Sequence, residues 1–204
     1  MSSMESSIPY LDRNYLNAGT KFRDYIMRQP ETGDVMGIAL LNSDPTGRIW
    51  LIGGTVYRTL AHFMHKIDLP VCDWDFIVEK PIDNINLPED WEDIGNQFGT
   101  HKFTNGKTTV DFIPLNRVSS IVRRELKPNI GNYLEGVPLT IQSIAYDIKR
   151  DIIVGGAGIY ALKTRTVRIL NRREAEIGAK LKKTSLDRYL IEKAQDLEFT
   201  PIFP

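Results

Sequence analysis

Two stretches decide the fold of this chain: IWLIGGTVYR at residues 49–58 and CDWDFIV at residues 72–78. The apolar run Ile49–Ile52 predicts a short buried strand that ends at a Gly-Gly pair. One apolar face over residues 55–66 predicts a helix, and alternation over residues 72–78 predicts a second strand. The stretch therefore predicts a strand, a glycine turn, a helix and another strand in close succession.

The second predicted strand carries two carboxylates. Asp73 and Asp75 are two residues apart, so they point to the same face of the strand, and Trp74 points to the opposite face. Side-by-side carboxylates repel each other unless a positive charge lies between them. Their oxygen ligands suit Mg²⁺ or Mn²⁺, so the pair predicts a divalent metal site.

A third carboxylate follows from a predicted hairpin. The strand-like runs 100–104 and 107–115 flank Asn105-Gly106, which is a strong sequence signal for a β-hairpin. Asp111 lies on the second arm. If that arm is a neighbour of the Asp73 strand, three carboxylates meet, and such a cluster can hold two metal ions about 3.5–4 Å apart.

The glycine pair predicts a phosphate site. Glycine lets the backbone approach a phosphate closely, and a helix N-terminus favours negative charge. The candidate residues are Gly53, Gly54 and Thr55 at the start of the helix and Arg58 one turn further on. A Gly-Gly pair alone is more often a plain turn, and Asp-x-Asp alone is often a pair of solvent-exposed residues at a strand edge. The functional interpretation depends on both patterns occurring in this order.

The remaining pattern mixes helices and strands and predicts an α+β fold, in which helices pack mainly on one side of a mixed sheet. We expect a disordered lead over residues 1–7, a domain over residues 8–170 and a C-terminal helical extension over residues 171–204. Asn171 and Ser185 are predicted N-caps of the two helices in that extension.

Four segments carry more local predictions. A helix is expected from Pro9 to about Pro30, with a break at Gly19, and a short helix over Glu89–Gln97. Leu139–Ile148 fits a strand or a helix equally well. The tail Pro201–Pro204 is expected to be irregular.

Composition is that of an ordinary soluble protein: 204 residues, 42% hydrophobic, 25% charged and a formal net charge of +0. No apolar run reaches membrane-spanning length. The single cysteine, Cys72, and the polar start Met1–Ser7 favour a reducing, cytoplasmic location.

The motifs resemble a known family. LIGGTV (51–56) and DWDF (73–76) are similar to the head domain of bacterial-type CCA-adding enzymes and poly(A) polymerases, in the DNA polymerase beta superfamily of nucleotidyltransferases. LTIQSIAYD (139–147) and the stretch from Gly158 to Leu170 resemble later segments of that domain in the same order.

The resemblance implies the nucleotidyltransferase fold and a metal-dependent transfer of a nucleoside monophosphate from an NTP to an acceptor hydroxyl. Asp73 and Asp75 would then bind both metal ions, and Asp111 would bind the ion that activates the acceptor. Gly53 and Gly54 would hold the triphosphate. The acceptor would be an RNA end, a protein or a small molecule.

Two departures from the family keep other functions open. Tyr57-Arg58 stands where the family has Arg-Asp, and Gly136-Val137-Pro138 stands where it has Arg-Arg-Asp. The chain also leaves little room for the family's helical body that holds tRNA. The alternatives are a binding or regulatory module that keeps the fold, and a structural partner in a larger assembly.

Overall fold

The computed structural model describes residues 16–70, 73–96 and 99–204. The predicted lead over residues 1–7, the first residues of the helix predicted from Pro9, and Cys72 lie outside these ranges. The helices are α1 (Leu16–Ile26), α2 (Thr32–Leu41), α3 (Gly53–His65), α4 (Ser119–Arg123), α5 (Ile130–Gly136), α6 (Gly156–Thr164), α7 (Arg172–Leu181) and α8 (Leu186–Gln195). The strands are β1 (Ile49–Ile52), β2 (Trp74–Val78), β3 (Glu92–Asp93), β4 (His101–Thr104), β5 (Thr109–Pro114), β6 (Ala145–Asp147), β7 (Ile152–Val154), β8 (Thr166–Arg168) and β9 (Thr200–Ile202).

Seven strands form one mixed sheet in the order β3-β4-β5-β2-β1-β6-β7. The pair β2–β5 is parallel, whereas the other neighbours in this sheet are antiparallel. Strands β8 and β9 form a separate parallel pair. The predicted hairpin at Asn105-Gly106 is confirmed, because β4 pairs with β5 across that turn.

The larger hydrophobic core covers one face of the sheet. Leu51, Trp74, Phe76 and Phe112 lie in it and are buried. Residues of α1, α2, α3, α6 and α8 complete this core. The prediction that helices pack mainly on one side of a mixed sheet is therefore confirmed.

A smaller core lies on the opposite face. Trp50, Ile52 and Ile77 project into it from β1 and β2. The short helices α4 and α5 cover only part of this face, through residues such as Ile121 and Leu134. Polar side chains of the strands that point away from the large core therefore remain partly exposed on this face.

Two helical segments differ from the predictions. Helix α1 continues through Gly19. A Cβ atom at this residue would lie 2.0 Å from the backbone oxygen of Asp151, so glycine permits close packing here and does not break the helix. The prediction of a helix over Glu89–Gln97 is wrong in the described residues up to Asn96. Glu92–Asp93 forms the edge strand, and the Asp93 carboxylate accepts a hydrogen bond from the Gly95 amide at 3.0 Å.

The ambiguous and terminal segments also have defined structures. Leu139–Ile148 contains a 3₁₀ turn at Thr140–Gln142 followed by strand β6. The tail is not irregular throughout, since β9 pairs with β8. Long-range pairing of this kind leaves no local signal in the tail itself.

The C-terminal helices have the predicted N-caps. The Asn171 side chain accepts a hydrogen bond from the Glu174 amide at 3.2 Å, and Ser185 Oγ accepts one from the Arg188 amide at 3.2 Å. Leu190 of α8 is fully buried in the large core. Residues 171–204 thus share their core with the preceding sheet. None of the helices in the described ranges is both long and apolar enough to span a membrane.

Candidate active site

The parallel pairing of β2 with β5 brings two of the predicted carboxylates together. Asp75 is the direct register partner of Asp111. Side chains alternate along a strand, so both residues lie on the face opposite Trp74 and Phe112, away from the large core. The condition that the Asp111 arm is a neighbour of the strand predicted to carry Asp73 and Asp75 is met.

Gly53 lies against the Asp75 carboxylate. Ile52, the last residue of β1, pairs with Asp75, and the chain then turns into α3 at Gly53 with a φ of 73°. A Cβ atom at residue 53 would lie 2.2 Å from Asp75 Oδ2. Glycine is therefore required here both for the left-handed backbone and for the space that the carboxylate occupies.

Asp73 precedes β2 and is exposed, next to the two recessed carboxylates. Its backbone carbonyl accepts a hydrogen bond from Thr55 Oγ1 at 3.0 Å. Thr55 is fully buried, so in this structure its hydroxyl ties the start of α3 to the start of β2.

Burial and neighbouring charges act on the Asp75 carboxyl. Burial, followed by the negative charges of Asp111 and Asp73, raises the pKa of Asp75 from 3.8 to about 7. Lys102 acts in the opposite direction. Burial also raises the pKa of the neighbouring Tyr133 phenol, with the Asp75 charge as a second cause, so this phenol keeps its proton.

Two side chains that the sequence interpretation missed form hydrogen bonds with Asp111. Lys102 Nζ lies 3.2 Å from Asp111 Oδ2, and Asn96 Nδ2 lies 3.4 Å from Oδ1. Lys102 is the cross-strand register partner of Asp111 in the β4–β5 hairpin. Counting outward from a two-residue turn at Asn105-Gly106 would have placed Lys102 opposite Thr109. The observed turn takes four residues, 105–108, and this brings Lys102 opposite Asp111.

A cavity of about 590 Å³ opens over the carboxylates. Gly53, Asp75, Lys102 and Asp111 line one part of it. Other lining residues include Arg117, Arg123, Tyr133, Gln142, Glu174 and the Gly136-Val137-Pro138 stretch. The cavity is large enough for a ligand of nucleotide size.

The cavity contains both cations and a buried acid. Arg123 makes a two-pronged ion pair with Glu174, of which the Nε–Oε1 bond measures 3.2 Å, and Glu174 is 6% exposed. Arg117 donates to the Gly99 carbonyl at 3.2 Å. Guanidinium groups of this kind are suited to phosphate oxygens.

The predicted phosphate-binding residues are only partly brought together. Gly53 lines the cavity, whereas Gly54, Thr55 and Arg58 follow along the first turns of α3 and are not among the described residues that line it. The Arg58 Nε atom is buried, with no hydrogen-bond partner among the described residues. Their role in nucleotide binding stays a prediction.

The donor set fits a divalent cation. Asp75 and Asp111 offer hard oxygen ligands in register, Asp73 is adjacent, and their mutual repulsion would be relieved by a cation. As the side chains are placed, no three metal-ligating groups in the described ranges converge on one point. Asp111 accepts from Lys102 instead.

No protein-family model and no curated protein matches this sequence. Solved structures do match. The CCA-adding enzyme of Bacillus stearothermophilus in complex with CTP has a TM-score of 0.58 at 19% identity, over 85% of this chain and 41% of that chain. A CCA-adding enzyme in complex with CTP has a TM-score of 0.56 at 16% identity, over 80% of this chain and 39% of that chain.

A tRNA nucleotidyltransferase complexed with a primer tRNA and an incoming ATP analogue also matches. Its TM-score is 0.50 at 21% identity, over 76% of this chain and 44% of that chain. The chain thus spans well under half the length of each of these solved structures. At such identities the likeness defines the fold: this chain has the nucleotidyltransferase fold.

Proposed function

We propose that this protein is a metal-dependent nucleotidyltransferase, which moves a nucleoside monophosphate from an NTP to an acceptor hydroxyl. One observation carries the proposal: Asp75 and Asp111 stand in register on adjacent parallel strands, beside Gly53, at a cavity of nucleotide size. The fold adds support, because solved structures that share it contain bound CTP or ATP.

Asp75 and Asp111 would hold Mg²⁺ or Mn²⁺, with the exposed Asp73 as a further ligand. The bound ion would supply a Lewis acid that polarises the α-phosphate and lowers the pKa of the acceptor hydroxyl. The acceptor oxygen bonds to the α-phosphorus, the bond to the bridging oxygen breaks, and pyrophosphate leaves. The carboxylates thereby position the reacting groups, and Gly53 keeps room for Asp75.

The cationic side of the cavity would bind the phosphates. Arg117 already donates to a backbone carbonyl of the adjacent loop, and it can exchange this partner for a phosphate oxygen. Arg123 is neutralised by Glu174, so we assign it to shaping the cavity instead. An RNA end, a protein or a small molecule is the proposed acceptor, and the cytoplasm is the proposed compartment.

The test uses each of the four NTPs, labelled in turn, with Mg²⁺ or Mn²⁺ and total cellular RNA or protein. We expect transfer of the label to one class of acceptor, with a loss of about 100-fold or more in D75N and in D111N. D83N is the matched control, because Asp83 is an exposed carboxylate away from the cavity, and it should keep full activity.

A second candidate is a nucleotide-binding or regulatory module without transfer activity. The Lys102–Asp111 ion pair favours it, because it engages a carboxylate on which catalysis would depend. This candidate predicts that NTP binding occurs without transfer, and that D75N keeps the biological activity. Loss of that activity in a folded D75N protein rejects it.

A further inference from the structure

Lys102 is placed where a cation is needed. It lies on β4 directly opposite Asp111, and its side chain is 29% exposed. Its ammonium nitrogen is 3.2 Å from Asp111 Oδ2, which is a direct, charge-assisted hydrogen bond. The residue therefore projects onto the same face of the sheet as Asp75 and Asp111, into the cavity.

Carboxylates lie close to this ammonium group. Asp111, Asp75 and Asp73 concentrate negative charge at the start of β2 and the middle of β5, and the charge of Lys102 acts on Asp75 as well as on Asp111. Strand pairing fixes the Cα positions of Lys102 and Asp111, so this neutralisation is built into the hairpin. It is not an incidental surface contact.

An ammonium group and a divalent cation cannot share Asp111 comfortably. Both seek the same carboxylate, and like charges a few ångströms apart repel strongly in a partly buried site. Lysine has a flexible four-carbon stem, so its charge can move away while its backbone stays in the strand. Metal-free and metal-bound states of the site should therefore differ in the position of this side chain.

We propose that Lys102 is an internal counter-ion, which takes the place of a divalent cation at Asp111 and must leave that carboxylate when metal binds. The inference rests on the proposed metal-dependent function and adds a regulatory element to it. Lys102 stabilises the metal-free protein and sets the metal concentration at which the site fills.

The test measures Mn²⁺ binding to the full chain in the absence of nucleotide. Binding is monitored through the electron paramagnetic resonance signal of free Mn²⁺. We expect K102M to bind Mn²⁺ about tenfold or more tightly than the wild type, since one adjacent positive charge is gone. Mn²⁺ should likewise raise the melting temperature of K102M at lower concentrations than it does for the wild type. In the double variant K102M/D111N the gain in Mn²⁺ affinity should disappear.

K107M is the matched control, because Lys107 is an exposed lysine in the turn of the same hairpin. It should leave the Mn²⁺ affinity unchanged, and circular dichroism should show each variant to be folded. Measurable Mn²⁺ binding that is equal or weaker in K102M overturns the role of Lys102 and leaves the proposed function standing. Absence of Mn²⁺ binding in folded wild type and folded K102M overturns both.

Discussion

At the scale of single residues, ionisation of Asp75 carries an electrostatic cost in the candidate site. Burial and the charges of Asp111 and Asp73 raise its pKa to about 7, and Lys102 offsets only part of this. A carboxyl whose pKa is raised by folding favours the folded state below its unfolded pKa of 3.8, and this stabilisation is lost as the pH rises through about 7.

The first prediction follows from that sign. In metal-free buffer at pH 8, the free energy of unfolding of D75N should exceed that of the wild type by about 1–4 kcal/mol. One pKa unit corresponds to about 1.4 kcal/mol. At pH 4 the two proteins should be nearly equal. Urea denaturation with EDTA at both pH values measures this, and equal stabilities at pH 8 would contradict the electrostatic account.

At the scale of elements, the strands and helices next to the glycine pair were predictable because their signals are local. Ile49–Ile52, the helix after it and the Asn105-Gly106 hairpin are confirmed. Pairs distant in sequence were less accessible. The Lys102–Asp111 pair depends on a four-residue turn, whereas the predicted arms imply a two-residue turn and another register. Strand β9 required knowledge of its partner β8.

Side-chain bonds and close packing explain the other differences at this scale. The helix expected near Glu89 gives way to turns in which Asp93 binds backbone amides, a competition that local propensity does not reveal. The low helix propensity of Gly19 predicts a break, but here the missing side chain lets the backbone of Asp151 pack closely against α1. The meaning of such a glycine depends on what packs against it.

The second prediction concerns the cap of α8. S185A should lower the free energy of unfolding by about 1 kcal/mol, because it leaves the Arg188 amide without its Ser185 Oγ acceptor. S185D keeps a capping oxygen and should remain close to the wild type. Chemical denaturation of the three proteins checks this, and an S185A variant as stable as the wild type would show that the cap contributes nothing.

At the scale of the whole molecule, the C-terminal helices and the sheet share one core. Leu190 and Ala194 of α8 are fully buried among residues of that core. Lys193 Nζ donates to the Tyr57 hydroxyl at 3.1 Å, which links α8 to α3 behind the glycine turn. The part that we predicted as an extension therefore supports the helix that begins at Gly53.

The third prediction tests this shared core. L190A should destabilise the protein by about 2–5 kcal/mol, the usual cost of a buried Leu-to-Ala change. Trp50, Trp74 and Trp91 are buried outside α8, so their fluorescence reports on the rest of the molecule. We expect the tryptophan transition and the circular dichroism transition in urea to move together. A tryptophan transition that stays at its wild-type midpoint would mean that α8 unfolds separately.

The proposed chemistry at Asp75 and Asp111 is the transfer of a nucleotide and not of a terminal phosphate. The most direct measurement compares one NTP labelled at its α-phosphate with the same NTP labelled at its γ-phosphate, incubated with the protein, Mg²⁺ and the cellular acceptor fraction. We predict that only the α-label joins the acceptor, that the γ-label leaves as pyrophosphate, and that D75N lowers both by about 100-fold or more. Labelling of the acceptor from the γ-position, or no release of pyrophosphate from any NTP by the folded protein, would contradict the claim.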